Sequence, residues 1–224
     1  MVAQPQAVSS TAIFYPESDG QPMADNTQQF RWIVILKENL EILFADQPDV
    51  FVAGDLLWYP VEGNSRLCQV PDVMVVLGRS KADRGSYQQW KEENLAPQVV
   101  FEIVSPSNTS LEMSRKLLFY QRYGVEEYYQ YDPELNDLVG CQRQEGALVE
   151  IEQMQDWVSP RLGIRFDCTA ETLVVYGPNG ERFLTPVELA QQRDQALKAV
   201  EAERQRGDRL AARLKELGVD PESI

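Results

Sequence analysis

Hydrophobic residues recur in two different rhythms along this chain, and each predicts its own kind of element. Between Thr27 and Ala45 (TQQFRWIVILKENLEILFA), Ile33, Leu36, Leu40 and Leu43 return at three- and four-residue steps and Pro48 follows, which predicts a helix. A strand-like series succeeds it: Val50–Ala53, Leu56–Tyr59 and, after Pro71, Val73–Leu77. Residues 78–98 are a polar excursion. The apolar run Val99–Val104 (VVFEIV), bounded by Pro97 and Ser105-Pro106-Ser107, reads as a buried strand. Residues 110–123 (SLEMSRKLLFYQRY) predict a second helix, closed by Gly124. Glu127–Tyr131 predicts a further strand, turned by Asp132-Pro133. The stretch 138–184 reads as short strands and turns, among them Pro178-Asn179-Gly180 between Val174–Tyr176 and Phe183-Leu184. The expected fold class is α/β, a mixed β-sheet core flanked by helices.

The ends differ from this core. Residues 1–26 are polar and carry Pro16, Asp19, Gly20 and Pro22, so they read as a poorly packed N-terminal arm ahead of a domain spanning 27–184. From 185 to 224 the pattern becomes helical, with Pro186 suited to a helix start. Two interleaved seven-residue series run through this tail: Leu189, Ala196, Glu203, Leu210, Leu217 and Arg193, Val200, Gly207, Leu214. Their apolar members cluster at the distal end, while Glu203 and Gly207 interrupt the middle. The tail is therefore either a solvated helix or a coiled-coil helix that oligomerises or binds a partner.

Composition narrows the chemistry. The 224 residues include 35 acidic and 21 basic side chains, a net charge of −14, and no histidine. This excludes a Ser-His-Asp or Cys-His nucleophile, a histidine-ligated zinc or haem, and an imidazole acid–base. The three cysteines, Cys68, Cys141 and Cys168, form no CxxC pair, which argues against a thiolate zinc site and fits free thiols in a reducing cytoplasm. No run of about 18 apolar residues is present to span a bilayer, so the expected setting is cytoplasmic with no membrane partner. The acid excess argues against a protein that coats nucleic acid through bulk charge.

The remaining chemistry belongs to carboxylates, lysines and hard cations, and residues 71–132 hold the candidates. Pro71-Asp72 opens one apolar strand and Glu102 sits inside another, where an ionised carboxylate is costly unless paired or metal-bound. Alternation places Val100, Glu102 and Val104 on one face, so Asp72 and Glu102 converge if the two strands are neighbours. Converging carboxylates without thiol or imidazole suit Mg²⁺ or Mn²⁺. Glu112, Lys116 and Tyr120 recur every four residues along one side of the 110–123 helix, from which an ammonium can reach the acidic pair. The plainer readings are turn chemistry for Pro-Asp and a surface ion pair for Glu112 and Lys116.

The ordered run PDVMVVLG, PQVVFEIVSPSN and RKLLFYQRYGVEEYYQYDP resembles the family of putative restriction endonucleases within the PD-(D/E)xK nuclease superfamily. The matching positions are Pro71-Asp72, Glu102, Ser105-Pro106-Ser107, Glu112, Lys116, Tyr120, Gly124-Val125, Glu127-Tyr128 and Asp132, with Glu112 where the family usually shows Asp and Tyr129 where it shows Trp. The resemblance implies a restriction-endonuclease-like fold and metal-dependent hydrolysis of DNA phosphodiesters. It further implies Asp72 and Glu102 as metal ligands, and a catalytic lysine moved from the Val104 position to Lys116. A supporting acid on the first helix, Glu38 or Glu41, and a homodimer are also implied. The alternatives are a non-cleaving assembly module acting through its tail, and a carboxylate-lysine hydrolase of a small phosphorylated metabolite.

The charge is unevenly distributed. Residues 71–124 carry a net charge of +1 and residues 181–224 a net charge of −1, so the acid excess lies in the rest of the core. Weak, salt-sensitive engagement of DNA at one face is the expectation.

Overall fold

The computed structural model describes residues 13–217, and the chain divides after Phe183 into two units. Within the first, helix α1 (Thr27–Leu43) begins where the Asn26 side chain accepts the N–H groups of Gln28 and Gln29. One stripe of α1, including Trp32, Ile33, Leu36 and Leu40, is buried. Strands β1 (Val50–Gly54), β3 (Val73–Leu77) and β5 (Val99–Ile103) are apolar on nearly every residue because both of their faces are covered.

Helix α2 (Ser110–Tyr123) follows β5, with the Thr109 hydroxyl capping its first turn. The chain then adds β6 (Glu127–Asp132), β7 (Asp137–Gln144) and β8 (Ala147–Glu150). These six strands form one sheet in the order β1-β3-β5-β6-β7-β8. Within this sheet only β5 and β6 run parallel, as a crossover through α2 requires. The 78–98 excursion is not structureless: it contributes β4 (Tyr87–Gln88), which pairs with β2 (Trp58–Tyr59) in a separate two-stranded sheet, and a 3₁₀ turn at Gln89–Lys91. Strands β9 (Arg165–Asp167) and β10 (Val174–Tyr176) form another pair. The Pro178-Asn179-Gly180 turn is present, but beyond it only a single bridge from Tyr176 to Arg182 forms.

The alternation of each central strand sorts its side chains into two layers. Val52, Val75, Val99, Phe101 and Ile103 pack beneath α1, whereas Phe51, Ala53, Met74, Val76 and Val100 join Tyr120, Val125 and Tyr128 on the α2 side. Helix α2 is fixed at its C-terminal end by Arg143 of β7, whose guanidinium donates to the carbonyls of Gln121 (2.6 Å) and Val125 (2.7 Å).

Residues 13–26 are largely exposed and make specific ties to this core. Tyr15 packs against Tyr59 and Trp90, and the Tyr59 hydroxyl donates to the Pro16 carbonyl at 2.9 Å. The second unit contains α3 (Pro186–Glu216), which starts with a capping box between Thr185 and Glu188 and buries none of its residues. Among the described residues no helix is long and apolar enough to cross a membrane.

Gly124 ends α2 at φ +102°, and a Cβ there would lie 3.3 Å from that of Ala96. Gly124→Ala should lower unfolding free energy by about 1–2 kcal/mol, the cost of the left-handed backbone for an L-residue. Urea denaturation with an unchanged m-value checks this.

Candidate active site

Period-two alternation turns Glu102 toward α2, where it is only 1% exposed. Its Oε2 accepts the Lys116 Nζ at 2.7 Å, and its Oε1 accepts the Tyr120 hydroxyl. The four-residue step between Lys116 and Tyr120 lets consecutive turns of one helix take both oxygens of one carboxylate. Burial pushes the Glu102 carboxyl upward, opposed by Lys116 and Tyr120. Burial alone would lower the Lys116 ammonium, but Glu102, Asp72 and Glu112 outweigh it and hold the lysine above its ordinary value.

Asp72 reaches the same place from the neighbouring strand. β3 and β5 pair antiparallel with Val73 opposite Phe101, so one further step places Asp72 across from Glu102. The Asp72 Oδ2 accepts the Ile103 N–H at 2.6 Å, continuing the ladder with a side chain. Burial, and then the negative charge of Glu102, push its carboxyl up to about 8. Asp72 and Lys116 line a cavity of about 390 Å³ together with Asp25, Asp55 and Glu112. Glu112 stands at its rim, exposed, 3.4 Å from the Asn108 amide.

Asp55 and Gln29 are contributors that the sequence reading missed. Asp55 continues the α2-facing alternation of Phe51 and Ala53 past the end of β1 and occupies a left-handed conformation (φ +51°). Gln29 lies in the buried stripe of α1, donates to the Ile103 carbonyl at 2.9 Å and accepts the Asp25 N–H at 2.8 Å. Asp25 in turn accepts the hydroxyls of Ser105 and Ser107, which lower its carboxyl and explain the Ser-Pro-Ser sequence after β5. A polar residue inside the apolar stripe of α1 was the available signal for Gln29.

The structure does not bring Glu38 or Glu41 to this cavity. Both pair with Lys37, at 3.1 and 2.5 Å, and Glu41 lines a different cavity along β1. The reason is rotational: these residues lie off the α1 stripe that meets the sheet, whereas Gln29 lies on it. Val104 shares the α2 side with Glu102 but lines an adjoining cavity beside Met113 and Leu117.

The family model described as Uma2, putative restriction endonuclease, matches residues 19–175. The chain belongs to the Uma2 family. Its match begins in the 13–26 segment tied to the sheet and ends within β10. No curated protein matches the chain. Among solved structures it is similar to a putative nuclease belonging to DUF820 from Anabaena variabilis ATCC 29413, at 15% identity, with 62% of this chain and 74% of that chain covered and a TM-score of 0.46.

The donors at this Uma2 site suit a hard cation in a restricted sense. Among the described residues no three metal-capable side chains converge, so an all-protein cage is not formed. Mg²⁺, however, is commonly held by one or two carboxylates and completed by water and substrate oxygens. Asp72 lines the cavity, and Glu102 keeps lone pairs beyond the two it gives to Lys116 and Tyr120. Glu102 is balanced by Lys116, and a divalent ion would supply the charge that lets the neighbouring Asp72 ionise as well.

A second buried carboxylate of the Uma2 core has a different task. Glu127 accepts the Ser159 hydroxyl, the Arg161 N–H (2.8 Å) and the Tyr129 hydroxyl (3.0 Å). Its hydrogen bonds fasten the 159–161 turn to β6, and it does not line the Asp72 cavity.

The raised Asp72 carboxyl makes a signed stability prediction. Below its ordinary value of 3.8 it is protonated folded or unfolded; between there and about 8 only the unfolded chain releases the proton. Metal-free stability therefore falls through this window as pH rises. Asp72→Asn keeps the acceptor for Ile103 and removes the penalty. In chelator its melting temperature should match wild type near pH 4 and exceed it increasingly toward pH 8; parallel curves would contradict the burial argument.

Proposed function

We propose that this protein is a divalent-metal-dependent endonuclease that hydrolyses phosphodiester bonds of DNA. The observation that supports it best is the convergence of Asp72, Glu102 and Lys116 from two paired strands and one helix, within a chain of a putative restriction endonuclease family.

Asp72 and Glu102 are the residues that would hold Mg²⁺ or Mn²⁺, which supplies Lewis-acid charge for a phosphoryl oxygen and for a bound water. Lys116 is protonated at neutral pH because Glu102, Asp72 and Glu112 surround it, so it is not the general base. Its role is to orient the attacking water through an N–H and to face the negative charge that develops on the phosphoryl oxygens. Tyr120 acts through Glu102, fixing the carboxylate so that the lysine ammonium is presented in one position. Cutting both strands of a duplex takes two such sites, which a homodimer would provide, and three free thiols accord with a reducing cytoplasm.

One observation favours a second reading, a non-cleaving assembly module: both oxygens of Glu102 are already engaged inside the protein. The two differ in their response to metal. Under the nuclease reading, Mn²⁺ or Mg²⁺ at about 100 times its dissociation constant stabilises the fold by about 2.7 kcal/mol, and Asp72→Ala removes that gain. In a plasmid-nicking assay Asp72→Ala, Glu102→Ala and Lys116→Ala should each lower the metal-dependent rate by at least about 100-fold. Nicking at wild-type rate by all three would overturn the site, and absence of any metal response in the wild type would leave the module reading.

A further inference from the structure

Most cations of the first unit are already used. Arg84 and Arg79 pair with Glu92 and Glu93, Arg161 with Glu126 and Arg165 with Asp156. Arg143 is spent on backbone carbonyls, and Lys116 on Glu102. Helix α2 is different. Its Arg115 and Arg122 are exposed and make no ion pair among the described residues, Arg122 only overlying the Tyr123 ring at 5.6 Å. Seven residues separate them, which is two turns and about 10.5 Å along one side of the helix. Residues 113–125 contain no acidic side chain, although the chain as a whole carries −14.

The cavity beside this helix has the opposite character, with Asp25, Asp55, Asp72 and Glu112 against Lys116. A polyanion meets repulsion there and attraction along α2. We infer that the outer side of α2 is the track for the phosphate backbone of the nucleic acid, with Arg115 and Arg122 as its contacts on the strand that leads to the Lys116 site. This rests on the nuclease reading and adds to it the surface on which the substrate lies. The helix joins the two functions: one side of α2 presents Lys116 to the carboxylates, and the other presents guanidinium groups, which suit phosphate oxygens, to solvent. Leu111 and Leu118, 60% and 62% exposed on the same helix, make a protein partner the competing occupant.

The test measures binding of a fluorescent 20-base-pair DNA duplex by anisotropy, in Ca²⁺, across a salt series. Loss of two phosphate contacts should lower the slope of log K against log salt by about 1.8 and weaken binding roughly tenfold or more at low salt. Arg115→Gln with Arg122→Gln should produce both changes while the melting temperature stays at the wild-type value. Arg31→Gln, an exposed position of α1 at the other face of the sheet, should produce neither. An unchanged slope in the double variant would overturn the inference. So would a shift in sedimentation without a change in slope, which would assign the surface to a protein contact. Failure of the nuclease reading is distinguishable: the slope would depend on the two arginines while no metal-dependent cleavage occurred. Conversely, cleavage with an unaltered slope would spare that reading and sink this one.

Discussion

Glu102 lies within the most enclosed strand of the sheet, where an unpaired carboxylate would cost several kcal/mol. The helix that follows must therefore return over it with both a cation and a hydroxyl. That requirement sets the rotation of α2: Lys116 and Tyr120 face inward on successive turns, and Tyr120 continues into the aromatic layer as a ring stacked against Trp58. Arg143 holds the far end of the helix by its carbonyls, so the buried contact is braced from the sheet. Chemistry and packing share one set of atoms here. A change at Glu102 would disturb the layer as well as the site, and for that reason metal response and stability have to be read together.

The site is assembled under electrostatic tension. Asp72 enters from the adjacent strand by using its own carboxylate to extend the ladder to Ile103, and this geometry places it beside a second carboxylate. One ammonium serves both. Burial, and then the charge of Glu102, raise Asp72, while the surrounding carboxyls hold Lys116 above its ordinary value against its own burial; a hard divalent cation is suited to relieve this state. The arm deepens the acidity through Asp25, held by Ser105 and Ser107. An acidic cavity and an acid-free helix face lie side by side, which gives the local field a direction that the net charge does not reveal.

The segment before α1 acts as part of this arrangement. Gln29 spans from the end of β5 to the backbone of Asp25, so the start of α1, the Ser-Pro-Ser loop and the arm are fastened to the same strand that carries Glu102. Glu127 does the equivalent work at the other end of the parallel pair, where its bonds to Ser159, Tyr129 and the Arg161 N–H tie down a turn. Two buried acids on adjacent strands thus have separate tasks, distinguished by their neighbours: a lysine beside a cavity in one case, hydroxyls and a backbone N–H in the other.

Periodicity alone located α1, the central strands, α2 and the tail helix, because burial of one helix stripe or of whole strands leaves a rhythm in the residues. The order of the Asp72, Glu102, Lys116 and Tyr120 positions was legible for a similar reason: a carboxylate inside an apolar run, and a four-residue step on the next helix, are local patterns. The choice among α1 acids was not. Glu38, Glu41 and Gln29 all lie on one helix, and only its rotation against the sheet decides that Gln29 meets β5 while the two glutamates pair with Lys37. Asp55 and Asp25 are brought to the cavity by pairings between segments far apart in the chain, and a strand as short as β4 forms where it finds β2. Long-range pairing and the rotation of a helix about its axis carry no signature in neighbouring residues; they are settled by which buried polar groups must find partners once the layers close.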